Sequence, residues 1–169
     1  TPTVTAGLAI ADFNADGIPD MVAIANNGAE SRISLREGML GGLFKPEVVL
    51  TVDTFFFRNL NSVTTADING DDMPDIILTS TADERIIFLT NNLAPGGVLN
   101  GASFTTFDDI FVDPNPTQVV AGDFNNDGAN DLAIAHNGPG FGFFDRGVNI
   151  YLGGTTAGVA DGTFIPFFN

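Results

Sequence analysis

Short apolar runs rich in Val, Ile, Leu and Ala recur along this chain, each bounded by Asp, Asn, Gly or Pro. Such runs read as strands, because β-branched side chains suit a pleated surface and the bounding residues suit turns. A first set lies at Val4 to Ala11, Ser62 to Ala66 and Gln118 to Ala121. A second follows at Met21 to Ala25, Ile76 to Thr79 and Leu132 to Ala135. A third is expected at Arg32 to Arg36, Arg85 to Leu89 and Val148 to Leu152. A fourth is expected to start at a Phe after a Gly-containing turn, in Gly42-Leu-Phe44, Gly101-Ala-Ser-Phe104 and Asp161-Gly-Thr-Phe164. No segment shows a convincing helical period.

One polar loop separates the first and second strand of every repeat. It reads Asp12-Phe-Asn-Ala-Asp-Gly-Ile-Pro-Asp20, then Asp67-Ile-Asn-Gly-Asp-Asp-Met-Pro-Asp75, then Asp123-Phe-Asn-Asn-Asp-Gly-Ala-Asn-Asp131. The repeat is therefore about 55 residues long, and four strands in that length make one blade of a β-propeller. The expected fold is all-β, with three four-stranded blades at residues 1–60, 61–116 and 117–169 in one continuous repeat domain. Gly- and Pro-rich insertions at Ala94 to Gly97 and Gly138 to Gly142 map to loops on one side of the array.

Nine-residue loops of this kind suit calcium. Ca²⁺ takes roughly six to eight hard oxygen ligands, which a tight loop supplies from side chains at positions 1, 3, 5 and 9 and a carbonyl at 7. Loop one then offers Asp12, Asn14, Asp16, the carbonyl of Ile18, and Asp20. Loop two offers Asp67, Asn69, Asp71, the carbonyl of Met73, and Asp75. Loop three offers Asp123, Asn125, Asp127, the carbonyl of Ala129, and Asp131. Position 6 is the sharp turn, where Gly17 and Gly128 fit a positive φ and Asp72 fits it less well. Loop two is therefore expected to be the weakest or most distorted site. An EF-hand needs Glu at position 12 and a helix beyond it; here position 12 is Ala23, Leu78 or Ile134, inside strand-like runs. The plainer alternative is an Asx-turn joining two strands, with no ion.

Charge and composition sharpen this picture. The formal charge is −15, from 21 acidic and 6 basic residues. A nucleic-acid partner needs a basic footprint that this chain lacks. Three bound Ca²⁺ ions would bring the charge to about −9. The acidity also serves plain solubility. There are 16 Phe, one Tyr, and neither Cys nor Trp, so thiol chemistry, thiolate zinc sites and disulfides are excluded. No apolar run reaches the roughly 20 residues of a membrane helix. With no signal peptide and no initial Met, the chain reads as a mature or excised segment.

The loop Asp-Phe-Asn-x-Asp-Gly-x-x-Asp, a short apolar strand after it and a Gly-x-Phe strand beyond resemble the FG-GAP/VCBS repeats of integrin α-subunit-like β-propellers. The resemblance covers the chain in three units, and loop two departs from it at Asp72. It implies that each unit is one blade and that the positions named above hold calcium. It also implies roles in adhesion, recognition or assembly, although fold alone does not select among these.

Three functions follow as expectations. The first is a non-enzymatic, calcium-stabilised module of the extracellular space or cell surface, acting in assembly or adhesion. Its partners would be other copies, further blades of a longer chain, or a cell-surface protein or glycan. The second is a lectin-type propeller, with Phe141, Phe143, Phe144 and Tyr151 as candidate sugar platforms, or else as rings packed between blades. The third is an accessory domain of a secreted hydrolase or lyase. An active site of its own is not expected, since His136 is the sole histidine and reads as a solvent-facing or capping residue. Loops without a Glu at position 12 should bind Ca²⁺ at roughly 10⁻⁴–10⁻³ M, a range that fills outside the cell. Thr54-Phe-Phe-Phe-Arg58 points aromatic rings to both faces of a strand, and the last strand looks short and open. Both features anticipate blades that need neighbours.

Overall fold

The computed structural model describes residues 4–27, 31–50, 59–138, 147–156 and 159–167. Among them the regular structure is entirely β, with no helix. The strands are β1 (Val4–Ala11), β2 (Asp20–Asn26), β3 (Ser31–Arg36), β4 (Gly38–Met39), β5 (Leu43–Phe44), β6 (Val48–Val49) and β7 (Leu60–Ala66). They continue as β8 (Asp75–Ser80), β9 (Arg85–Asn91), β10 (Phe104–Phe111), β11 (Pro116–Gly122), β12 (Asp131–His136), β13 (Gly147–Thr156) and β14 (Val159–Phe167). Three antiparallel four-stranded sheets result: β1-β2-β3-β6, β7-β8-β9-β10 and β11-β12-β13-β14. We refer to them as blades one, two and three. The segment Thr54 to Arg58 lies outside the described residues.

The fourth strand of blade one departs from expectation. Leu43 and Phe44 do not pair with β3 but fold back on Gly38 and Met39 as a separate two-stranded ribbon. The reason is local. Gly41 and Gly42 both take positive φ, at 89° and 76°, which turns the chain tightly enough to close a hairpin. The chain returns to β3 only at Val48–Val49. In blade two the fourth strand does begin at Phe104, and in blade three it begins earlier, at Val159.

The blades pack through their faces. One core cluster joins Phe13, Val22, Ile24 and Leu35 of blade one to Val63, Ile76, Leu78, Leu89 and Phe104 of blade two. A second joins Ile68, Ile77, Ile86 and Phe88 of blade two to Val119, Leu132, Ile134 and Tyr151 of blade three. Alternate residues of β8 thus face opposite neighbours, as a strand buried on both sides requires. Every residue of β8 is buried.

The first strands lie side by side, β1 against β7 and β7 against β11. Each carries an irregularity of register at the same place, between Thr5 and Gly7, Leu60 and Ser62, and Pro116 and Gln118. Such bulges bend a strand and re-aim the extra residue. The extra residues Ala6, Asn61 and Thr117 line an open groove of about 260 Å³ between the three strands. The Asn61 amide donates to the carbonyls of Pro116 and Thr117, both at 2.9 Å, and so ties blade two to blade three.

Candidate metal loops

Each loop is closed by its own side chains. In loop one, Asp12 Oδ1 accepts the Asp16 N–H (3.0 Å) and Oδ2 accepts that of Gly17 (2.7 Å). Asp16 Oδ1 accepts the Ile18 N–H at 2.8 Å. The Asn14 amide donates to Asp16 Oδ2 at 3.1 Å, while its oxygen accepts the Asp16 N–H at 3.2 Å. Loop three repeats the pattern through Asp123, Asn125 and Asp127, at 2.9 to 3.1 Å. This is the Asx-turn chemistry that a short polar side chain offers a bent backbone.

Loop two forms the same ring with two changes. Asp67 Oδ1 accepts three N–H groups, from Asn69, Gly70 and Asp71, and Oδ2 accepts that of Asp72. Its glycine has also moved. Positions 4 and 6 both take positive φ in every loop: Ala15 and Gly17, Gly70 and Asp72, Asn126 and Gly128. Loops one and three place glycine at position 6, and loop two places it at position 4. The cost of Asp72 at φ 65° is thus partly offset by Gly70 at φ 77°. Position 6 alone, where Asp72 replaces glycine, does not reveal this offset.

Position 9 is a different kind of aspartate. Asp20, Asp75 and Asp131 are fully buried. Each uses one oxygen to accept the N–H of loop position 2 and the other to accept the N–H of a residue just beyond the last pair that the third strand makes with the second. For Asp20 these come from Phe13 (2.9 Å) and Gly38 (2.8 Å). For Asp75 they come from Ile68 (3.1 Å) and Asn91 (2.8 Å), and for Asp131 from Phe124 and Gly153, both 2.8 Å. A Cβ at Gly38 or Gly153 would collide with the carbonyl of Pro19 or Asn130, so these two exits need glycine. Burial pushes the Asp20 carboxyl up, against the two N–H bonds that lower it, and Asp16 and Asp12 raise it further. For Asp75 burial dominates in the same way, with Asp71 and Asp67 adding to it, and the result is about 6.

The donor set fits a hard divalent cation in kind: three carboxylates and an amide per loop, with lone pairs remaining on the oxygens of Asp12, Asp16 and Asp20 beyond the bonds above. The side chains at positions 1, 3 and 5 are brought together in all three loops. Their oxygens are turned toward backbone amides, and among the described residues no three acidic or imidazole groups converge as a finished cage. The position 7 residues contribute N–H groups to Asp16, Asp71 and Asp127. Met73 and Ala129 are buried and Ile18 is partly so.

Two features of the site escaped the sequence reading. The apolar residue at position 2 is a plug: Phe13 and Ile68 are buried under the next blade, and Phe124 is 51% exposed. Its signal was visible as Phe, Ile, Phe at that position. The next blade also latches the loop backbone. The Asn91 amide donates to the Phe13 carbonyl (2.7 Å), the Gly96 N–H to the Asn14 carbonyl (2.5 Å), and the Asn130 amide to the Asp67 carbonyl (2.8 Å).

His136 is not solvent-facing. Its side chain is buried beside Asp113, with Nε2 at 3.7 Å from Oδ2, because its place on β12 points it toward blade two with Leu132 and Ile134. Asp113 is held in turn by the Asn149 amide at 2.6 Å. Tyr151 is buried in the cluster between blades two and three, so it offers no surface for a sugar. Phe141, Phe143 and Phe144 lie outside the described residues.

Comparison with known proteins adds two findings. Residues 12–78 match the profile of the FG-GAP-like repeat. The chain is also similar to the T-cell immunomodulatory protein homolog of Plasmodium falciparum (isolate 3D7), at 30% identity over 143 residues. That match covers 74% of this chain and 18% of the relative.

Proposed function

Over residues 12–78 this chain belongs to the FG-GAP-like repeat family, and from that premise we propose that it is a non-enzymatic, calcium-stabilised module of assembly or adhesion outside the cell. The observation that carries the reading is the threefold loop. Asp, Asn and Asp at positions 1, 3 and 5 meet in one hydrogen-bonded ring in each blade, and the chain bears a formal charge of −15. A cation would relieve the repulsion among those carboxylates, most where Asp75 is buried near Asp67 and Asp71. The ion would be held by Asp12, Asn14, Asp16, the Ile18 carbonyl and Asp20 in loop one, and by the equivalent residues of loops two and three. Its contribution is structural, since binding to the native state alone is folding free energy.

Location outside the cell follows from the expected weak affinity, roughly 10⁻⁴–10⁻³ M for such modules. The Plasmodium falciparum relative is named as a homolog of an immunomodulatory protein and not as an enzyme, which is consistent with a non-enzymatic module. Native mass spectrometry after chelation and readdition of Ca²⁺ tests the reading. Up to three ions should bind, and Asp16→Ala and Asp127→Ala should each remove one. A chain that takes up no ion at millimolar Ca²⁺ would reduce the loops to Asx-turns.

A further inference from the structure

Of the three loops, only loop two carries an Asn-Gly bond, at Asn69-Gly70. At the same place loop one has Asn14-Ala15 and loop three has Asn125-Asn126. The seam between blades two and three accounts for the glycine. Val159 and Ala160, at the start of β14, lie against it. A Cβ on Gly70 would come within 2.4 Å of Val159 Cγ1 and 3.0 Å of the Ala160 carbonyl oxygen. Ala15 and Asn126 are exposed, so a side chain fits at position 4 in those loops.

The exchange has a chemical consequence. With no Cβ beside it, a glycine nitrogen can approach the side-chain carbon of the preceding asparagine closely. Gly70 N then bonds to Asn69 Cγ and the Cγ–Nδ2 bond breaks. The side-chain nitrogen leaves as ammonia, taking the proton that Gly70 N gives up. The five-membered succinimide that results adds water at one of its two carbonyls. It opens to aspartate, or to isoaspartate, in which the main chain runs through Cγ. Water is the only other reagent.

The folded loop ties up both reacting groups. The Gly70 N–H donates to Asp67 Oδ1 at 2.7 Å. The Asn69 side chain is held at both ends, its amide donating to Asp71 Oδ2 (3.1 Å) and its oxygen accepting the Asp71 N–H (3.0 Å). Blade three adds to the lock. Val159 and Ala160 restrain Gly70, and the Asn130 amide holds the Asp67 carbonyl at 2.8 Å. Asn69 is only half-buried and Gly70 is exposed, so water reaches the pair. Protection therefore comes from the hydrogen bonds rather than from burial.

We infer that Asn69 is a self-modification site, kept as the amide by the hydrogen-bonded ring and the blade-three seam and released when loop two opens. Either product marks the chain. Aspartate replaces the amide that donates to Asp71 with a further carboxylate. Isoaspartate lengthens the main chain inside a ring whose bonds span two to five residues. Loop two would thus record its own opening in covalent form. The inference goes beyond the module reading and does not depend on it, because every lock named is a contact within the chain.

Incubation of the full chain for weeks at mildly alkaline pH in millimolar Ca²⁺, folded or in guanidinium chloride, tests it. Peptide mapping by mass spectrometry reads the mass gained when NH₂ becomes OH, and elution separates the two products. In denaturant Asn69 should convert at the rate of Asn100, which also precedes a glycine, and several-fold faster than Asn14 and Asn125. In the folded chain Asn69 should convert at least about tenfold more slowly than in denaturant. Asp67→Ala removes the acceptor of the Gly70 N–H and, with its melting transition retained, should recover most of the unfolded rate. Asn130→Ala, which cuts only the latch, should speed conversion by a smaller factor. Asn69 converting as fast folded as unfolded, no faster than Asn14 in denaturant, or unchanged by Asp67→Ala in a folded chain would each overturn the inference.

Discussion

Loops one and three carry the same hydrogen bonds and differ in what lies over them. In both, the first Asp accepts two N–H groups, the third-position amide braces Asp16 or Asp127, and the ninth Asp clamps position 2 to the exit of the third strand. Yet Phe13 is buried under Phe104 while Phe124 faces solvent. The conformation of the loop is therefore local, set by nine residues and one clamp. Burial of its plug is tertiary, set by the presence of a following blade. Stability should concentrate at the clamp and the seam, and ion binding should depend most on the more open carboxylates of positions 1 and 5.

The largest break in this comparison should come at position 9. Asp75→Ala leaves the N–H groups of Ile68 and Asn91 buried without an acceptor, at a cost of about 3–5 kcal/mol. Asp71→Ala in the same loop should cost the chelated protein about 1 kcal/mol and yet weaken its ion site. Denaturant midpoints in EDTA, measured for both, separate clamp from ligand. Equal losses would mean that the two aspartates do one job.

Plug truncation should come next. Phe13→Ala opens a cavity in a sealed seam and should cost about 3–4 kcal/mol. Phe124→Ala, at the same place in loop three, should cost the monomer less than about 0.5 kcal/mol. If thermal unfolding shows similar losses at both, loop three is covered in a way the exposure of Phe124 does not reveal.

A pH profile sharpens the same contrast. Asp75 has a folded pKa of about 6 against 3.8 in the open chain, so between these values the folded state holds more protons. Stability of the chelated protein should accordingly be greater near pH 4 and fall as pH rises through about 6, by on the order of 3 kcal/mol from this residue. Calcium should oppose the fall by favouring the charged carboxylate. A chelated protein that gains stability between pH 4 and 7 would contradict this sign.

The smallest effect is expected at Asp72. Its φ of 65° carries a strain that Asp72→Gly should relieve, for a gain of up to about 1 kcal/mol offset in part by glycine's freedom in the unfolded chain. Melting of this variant beside Gly17→Asp, which should lose a similar amount, ranks the two turns.

Much of this architecture was legible in sequence because its signals are local. Alternating Val, Ile and Ala between Asp-rich turns set the first three strands of each blade, and the fixed Asp and Asn positions set the loops. The fourth strand of blade one was not legible at Leu43 and Phe44, because two glycines in positive φ turned them into a hairpin of their own. The clamp exits were hidden because Gly38, Asn91 and Gly153 lie 16 to 22 residues from the aspartates they serve. The burial of His136 was hidden for a similar reason, since its cover includes Asp113 in the connection between blades.

The central claim, that calcium is part of the fold through these three loops, is tested most directly by thermal unfolding of the full chain in EDTA and in millimolar Ca²⁺. With sites of roughly 10⁻⁴ M, 10 mM Ca²⁺ should add about 2.7 kcal/mol per occupied loop and raise the midpoint by roughly 5–10 °C for each. The rise should shrink by about a third in Asp16→Ala and be absent with Na⁺ at equal ionic strength. A midpoint that is the same in EDTA and in Ca²⁺ would contradict the account.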